Sequence, residues 1–105
     1  MATQLLLPKV AVGNGAGLQL ITTRQPCNGF IIQADPANTG TVWVGDSTVS
    51  ASGTTGIRIE IPVAGEVLPY FTVGETSAPN GMNLSDYYVD SATASQHVNV
   101  LYVLI

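Results

Sequence analysis

The sequence predicts an all-β chain, an antiparallel β-sandwich of about seven or eight short strands, of which the jelly roll is one form. Three observations carry this. Apolar and polar residues alternate strictly in Ile57–Ile61, and every second residue is apolar along one face of Phe30–Ala34 and of His97–Ile105. Clusters of Gly, Pro, Asn, Asp and Ser separate such runs at short intervals. No stretch of about ten residues carries the 3.6-residue period of an amphipathic helix.

In chain order, residues 1–16 read as an N-terminal arm or first short strand, and 17–105 as a single sandwich domain. Gly13, Asn14, Gly15 and Gly17 punctuate the junction. Leu18–Arg24 reads as a strand that Pro26 and Asn28-Gly29 bring to an end. Phe30–Ala34 follows, with Phe30, Ile32 and Ala34 on one face. Asp35-Pro36-Ala37-Asn38-Thr39-Gly40 is a turn: Asp35 accepts backbone N–H groups, Pro36 fixes φ, and Gly40 permits a left-handed conformation. Thr41–Gly45 then reads as the return strand, so Phe30–Gly45 is predicted to be a hairpin with a long loop. Asp46–Gly56, mostly Ser, Thr, Gly and Ala, is a surface loop.

Ile57, Ile59 and Ile61 are expected to face inward, with Arg58 and Glu60 outward, as in a half-solvated strand. Pro62 stops it, Ala64-Gly65 turns, and Val67–Val73 forms a further strand that Pro69 assigns to an edge or a bulge. Glu75–Ser85 reads as a loop, Asp86–Asp90 as a short strand and Ser91–Ser95 as a turn. In the last strand, Val98, Val100, Tyr102 and Leu104 share one face. The other begins polar at His97 and Asn99 and ends apolar at Leu101, Val103 and Ile105. A strand apolar on both faces is covered on both, so this one is expected mid-sheet under the arm or in a subunit contact.

Composition narrows the function. Only 10% of the 105 residues are charged, against roughly 25% in average soluble chains, while 46% are hydrophobic. Hydroxyls and amides replace ions on the polar positions, and these cost less to bury beneath a partner; an ordinary β-rich domain with a neutral surface fits the same composition equally well. The net charge is −4, and Lys9, Arg24 and Arg58 are the only cations. Without a Lys/Arg cluster, neither nucleic acid nor an anionic membrane is an expected partner. Leu5-Leu6-Leu7 is cut short by Pro8 and Lys9, too soon for a secretory h-region, and no apolar run approaches the ~20 residues of a membrane span. Cys27 is alone, so no intrachain disulfide forms. The expected setting is a reducing compartment, or stability gained by oligomerisation.

The chemistry-bearing residues are sparse. A thiol enzyme would need Cys27 beside His97, the only histidine, and nothing in the sequence brings them together. No Gly-x-Ser-x-Gly elbow occurs, and Ser47 lacks the second glycine. Asp35, Asp46, Glu66, Asp86 and Asp90 read as solvated loop carboxylates and turn caps, without glycosidase or calcium-loop spacing. Gly13–Gly17 lacks the lysine of a phosphate loop, and Asn83-Leu84-Ser85 is an incidental sequon. No catalytic residue, cofactor or metal is therefore expected. Trp43 faces opposite to Val42 and Val44, either as an exposed binding residue or on a strand covered on both faces. Of Tyr87 and Tyr88, one is expected in the core and one at the surface.

The stretch from Gly29 to Gly45, with its Ala34-Asp35-Pro36-Ala37-Asn38-Thr39-Gly40 turn and Val42-Trp43-Val44-Gly45 strand, resembles a motif of small β-sandwich virion proteins of tailed phages. Tyr88–Ala94 followed by Val98–Val103 is similar to such chains as well. The resemblance covers the Gly29–Gly45 segment and the C-terminal third; the arm matches no such pattern. The Pro-Gly-Glu turn common before the middle strand is here Pro62-Val63-Ala64-Gly65-Glu66. The resemblance implies a capsid decoration (cement) protein, a head-fibre base or a small tail component. For the cement type it implies a homotrimer, the major capsid protein as partner, and a place in a virion assembled in the bacterial cytoplasm.

Two function classes follow. The first is a capsid cement protein that binds the outer capsid surface and stabilises the head. The contacts would come from residues 1–12 and the apolar C-terminal strand, with Leu5, Leu6, Leu7, Trp43, Leu101, Val103 and Ile105 as interface candidates. The second is a carbohydrate- or receptor-binding sandwich module of a fibre or tail, with Trp43 and a tyrosine as stacking platform. A small β-fold hydrolase would need His97 beside a Ser or Cys.

Overall fold

A computed structural model describes residues 4–60, 70–74 and 82–104. Eleven short strands appear among them: β1 (Gln4–Ala11), β2 (Gly13–Asn14), β3 (Leu18–Gln19), β4 (Pro26–Cys27), β5 (Gly29–Ala34), β6 (Val42–Gly45), β7 (Ile57–Ile59), β8 (Tyr70–Gly74), β9 (Met82–Asn83), β10 (Tyr88–Ser91) and β11 (His97–Val103). The chain is all-β, as predicted, with one 3-10 turn at Leu84–Asp86 as its helical element among the described residues.

Two sheets form the sandwich. The first has the order β1-β11-β5-β8, antiparallel throughout. The second has the order β2-β10-β6-β7, with β3 also paired to β10 and β2 parallel to it. A small third sheet joins β4 to β9. The inward faces share one core. Phe30, Ile32, Ala34, Val98, Val100 and Tyr102 come from the first sheet, and Val42, Val44, Ile59 and Val89 from the second. The alternation that predicted β5 and β11 is the alternation of burial along them: their odd-numbered residues from Ile31 to Val103 are less buried than the even ones. β11 lies mid-sheet between β1 and β5 as expected, but the arm strand β1 pairs beside it and does not cover it, so the apolar outer face of β11 stays open.

Several expectations change. Phe30–Gly45 is not a hairpin. β5 pairs with β11 and β8, while β6 pairs with β10 and β7, so residues 35–41 carry the chain from one sheet to the other. Alternation assigns faces but not partners, and both strands bury their inward side whichever sheet they join. Leu18–Arg24 is a strand only at Leu18–Gln19. The next residue still donates, Leu20 N–H to Tyr87 O at 2.9 Å, but beyond that the 3-10 turn replaces the partner strand. Pro26 opens β4 instead of ending a strand, a position where its missing N–H is tolerated.

Ile59 is buried as expected, but Ile57, paired with Val44, is 50% exposed because β7 is the sheet's edge. The predicted strand Asp86–Asp90 runs Tyr88–Ser91. Residues 46–56 are irregular, but they pack: Val49 and Ala51 are buried and Ser50 bridges to Thr55. The expected loop over 75–85 contains β9 and the 3-10 turn in its described part. Ile61 to Pro69, and with them the turn at Ala64-Gly65 and the start of the predicted Val67–Val73 strand, lie outside the described residues.

Candidate functional site

The outer face of the first sheet carries an apolar strip. Antiparallel register places Leu6 opposite Leu101, and Leu101 opposite Ile31, so three large side chains cross β1, β11 and β5 in one row. Leu6 is 61% exposed and Ile31 39%. Beside this row, Asn99 stands opposite Gln33. The five residues Leu6, Ile31, Gln33, Asn99 and Leu101 line an open groove of about 350 Å³. Val103, half-buried, extends the same face towards Gln4. A contiguous apolar row with exposed members on the outer face of a sheet is the usual mark of a contact surface.

The sequence-derived interface candidates therefore divide. Leu6, Leu101 and Val103 come together on this face. Leu5 and Leu7 point the other way, opposite Tyr102 and Val100 on the core side of the sheet. Leu7 packs against the core there, while Leu5 is 41% exposed at the edge. Trp43 is on the other sheet, half-buried, opposite Asp90 and Arg58. Ile105 lies outside the described residues. Sequence reasoning missed Ile31. Its signal was its place on the opposite face from Phe30 and Ile32, where a solvated strand would carry a polar residue.

The proposed aromatic platform divides as well. Tyr87 packs edge-on against Phe30, with ring centroids 4.9 Å apart, and belongs to the core margin. Tyr88 shares the outer face of the second sheet with Trp43 but is offset from it, opposite Gly45. Residues 46–56 fold over part of this face: a Cβ on Gly45 or Gly56 would meet Val49, and one on Gly17 would meet both Val49 and Tyr88.

Cys27 and His97 lie on opposite sides of the first sheet. Cys27 is fully buried in the core, where desolvation pushes its thiol pKa up. His97 is half-buried, on the outer-facing set of β11 with Asn99 and Leu101. Among the described residues, no three of His, Cys, Asp and Glu stand close enough to hold a metal ion. No described helix is long and apolar enough to cross a membrane.

Two carboxylates expected in solvent are buried. Asp90 is 1% exposed on β10 and accepts the Ala51 N–H at 2.9 Å. Asp35 is 4% exposed at the end of β5. Its Oδ1 accepts the Ala37 N–H at 2.9 Å, and its Oδ2 accepts from Lys9 Nζ at 3.0 Å. Sequence spacing identified Asp35 as a turn acceptor but not its long-range partners on β1 and β11. Asp86 is exposed, Asp46 is exposed and caps its own turn through Thr48, and Glu66 lies outside the described residues. Asn83 of the sequon is also a cap, its Oδ1 accepting from Gln25 N, Ser85 N and Ser85 Oγ.

These bonds hold the Asp35 carboxyl below the ordinary carboxylate pKa, the Ala37 N–H contributing most and the Lys9 ammonium next. A group whose pKa is lower folded than unfolded stabilises the fold above its unfolded value, about 3.9, and loses that contribution as pH falls through its folded value. We expect the melting temperature to fall as pH drops below about 4, and Asp35→Asn to flatten that dependence while lowering stability at neutral pH. Thermal melts of both proteins across the acid range check this; parallel profiles would refute it.

No protein-family model matches the chain, and no curated protein and no solved structure matches it significantly.

Proposed function

We propose that the chain is a structural binding protein that attaches through the outer face of its first sheet, and specifically a decoration (cement) protein of a tailed-phage capsid. The observation that carries the binding part is the Leu6–Leu101–Ile31 row with its groove. Alternation leaves this face clear of the core, yet it presents large apolar side chains where a solvated sheet would present polar ones. The virion part is supported by the resemblance of Gly29–Gly45 and the C-terminal third to small phage sandwich proteins. The low charge content agrees with it, since such a surface is less costly to desolvate against a protein partner.

In this reading copies of the chain associate, as a trimer, and present the groove face to the major capsid protein. Weak contacts repeated by symmetry then sum to firm attachment. The test is the oligomeric mass in solution together with sedimentation on expanded capsids. Wild type is expected to form trimers and to co-sediment. Leu6→Glu and Leu101→Glu are expected to weaken association or capsid attachment by roughly 30-fold or more, the effect of removing a central apolar anchor, while the melting temperature of the dissociated chain changes little. A wild-type protein that stays monomeric and leaves capsids bare overturns the reading.

A further inference from the structure

The geometry points to a second feature, independent of what the chain binds: Lys9, Asp35 and Asn99 form a site for an intramolecular isopeptide bond between the Lys9 amine and the Asn99 side-chain carbonyl. Three strands converge on it. In the β1–β11 ladder Leu7 pairs with Val100 and Val10 with Val98, so Pro8 and Lys9 together stand opposite Asn99. This is a β-bulge, with an extra residue on one strand. Lys9 takes a positive φ of 51°, a conformation costly for a residue with a side chain. From this position its own N–H donates to Asn99 Oδ1 at 2.8 Å, and its Nζ reaches Asp35 Oδ2 at 3.0 Å. The Asn99 amide nitrogen lies 3.5 Å from the same Asp35 oxygen.

Each contact has a part in the chemistry. Asp35 Oδ2 touches both the nucleophile and the group that must leave, so one oxygen can take a proton from the first and deliver it to the second. The Lys9 backbone N–H sits on the carbonyl oxygen that becomes negative in the tetrahedral intermediate. The Lys9 ammonium gives a proton to Asp35, and Nζ attacks Cγ of Asn99. The C–Nδ2 bond then breaks, Nδ2 taking up the proton held by Asp35 and the second one shed by Nζ. Ammonium leaves, Asp35 returns to its carboxylate, and a secondary amide joins β1 to β11. No oxidant or other reactant is needed. Asp35 is a buried carboxylate, but the Lys9 side chain is 71% exposed, so water stabilises its charged form and the first transfer is uphill. The bond therefore accumulates with the age of the protein instead of forming as it folds.

The sequence makes the test decisive. Lys9 is the only lysine, and Arg24 and Arg58 are the only other tryptic sites. An acylated Lys9 resists trypsin, so cross-linked protein yields residues 1–24 joined to residues 59–105, which mass spectrometry reads as one branched species short of one ammonia. Loss of ammonia alone does not suffice, because Asn14-Gly15, Asn28-Gly29 and Asn80-Gly81 can lose it by cyclising on their own backbone. The same sites supply a clock. The branched species is expected in wild type by the time those three asparagines have measurably deamidated. It is expected to be absent from Lys9→Arg, which keeps an ion pair with Asp35, and from Asn99→Ala. Asp35→Asn, which cannot accept the proton, is expected to slow it at least tenfold. Wild-type protein that passes the deamidation point with Lys9 fully cleaved by trypsin overturns the proposal, as does equal branching in Asp35→Asn.

Discussion

Replacing Gln96 with alanine is expected to cost about 2–4 kcal/mol, since two backbone N–H groups lose their acceptor and a buried orphan costs about 1–3, with the part-buried Thr39 N–H at the low end of that range and the buried Gly40 N–H anywhere within it. Gln96 is 4% exposed. Its Oε1 accepts from both Thr39 N at 2.8 Å and Gly40 N at 2.9 Å. Its Nε2 donates to Ala94 O at 2.8 Å and to Thr39 Oγ1 at 3.3 Å. One amide thus holds the sheet-to-sheet crossover against the start of β11. The next residue continues the clamp: His97 O accepts from Asp35 N and Asn38 Nδ2, and His97 N donates to Asn38 Oδ1. Gly40 is fixed there by space, because a Cβ would collide with the Thr93 side chain. For a domain of this size the loss corresponds to a melting-temperature drop on the order of 10–20 °C. Gln96→Met separates hydrogen bonding from packing, since it keeps most of the volume and none of the polar contacts. We expect it to lose nearly as much as alanine in thermal or urea unfolding. A methionine variant within about 0.5 kcal/mol of wild type, the usual scale of a neutral surface change, would assign the role to packing instead.

That clamp also marks how far the sequence could be read. The Asp35–Gly40 turn was legible in part: Asp before Pro specifies a local hydrogen-bonding pattern, and Ala37 N–H does bond Asp35, whereas Gly40 has no positive φ and is required by space, not by a left-handed conformation. What it connects was not. Asn38 and Gln96 are 58 positions apart in the chain, and no local pattern announces that the residues around them bond. A turn of that length suits a hairpin and a crossover equally. The Gly29–Gly45 motif that carries the family resemblance is made largely of residues with structural duties: Asp35, Asn38, Thr39 and Gly40 fix the crossover, and Phe30, Ile32, Val42 and Val44 fill the core. It is therefore informative about the fold and nearly silent about the partner. The contact surface was half legible. Two-sided apolarity of β11 flagged Leu101 and Val103, but the row that Leu101 completes needs the register of β1 and β5, which only the paired sheet supplies. Lys9 gave no signal, since a β-bulge depends on the opposing strand as much as on its own sequence.

Adjacent residues on β5 separate folding from binding. Ile32 is fully buried, lies opposite Val100 in the sheet and faces the core shared with the second sheet. Its truncation to alanine removes three carbons from a packed interior and leaves a cavity, at an expected cost of about 2–5 kcal/mol. A domain of this length has about 5–15 kcal/mol in total, so the variant retains the fold unless wild type sits near the lower end. Ile32→Val, with one carbon removed, is expected to cost about 0.5–1.5 kcal/mol. Ile31, one position earlier, points to the outer face and lines the groove. Ile31 is 39% exposed against none of Ile32, so Ile31→Ala removes less buried surface and leaves no enclosed cavity, and its stability is expected to stay within about 1 kcal/mol of wild type. Its association or capsid attachment is expected to weaken together with that of Leu6→Glu. Urea unfolding of the three variants beside their sedimentation profiles measures both properties at once. A stability loss at Ile31 as large as at Ile32 would mean that the outer face is a second core surface, covered within the chain itself, and would remove the groove as a docking site.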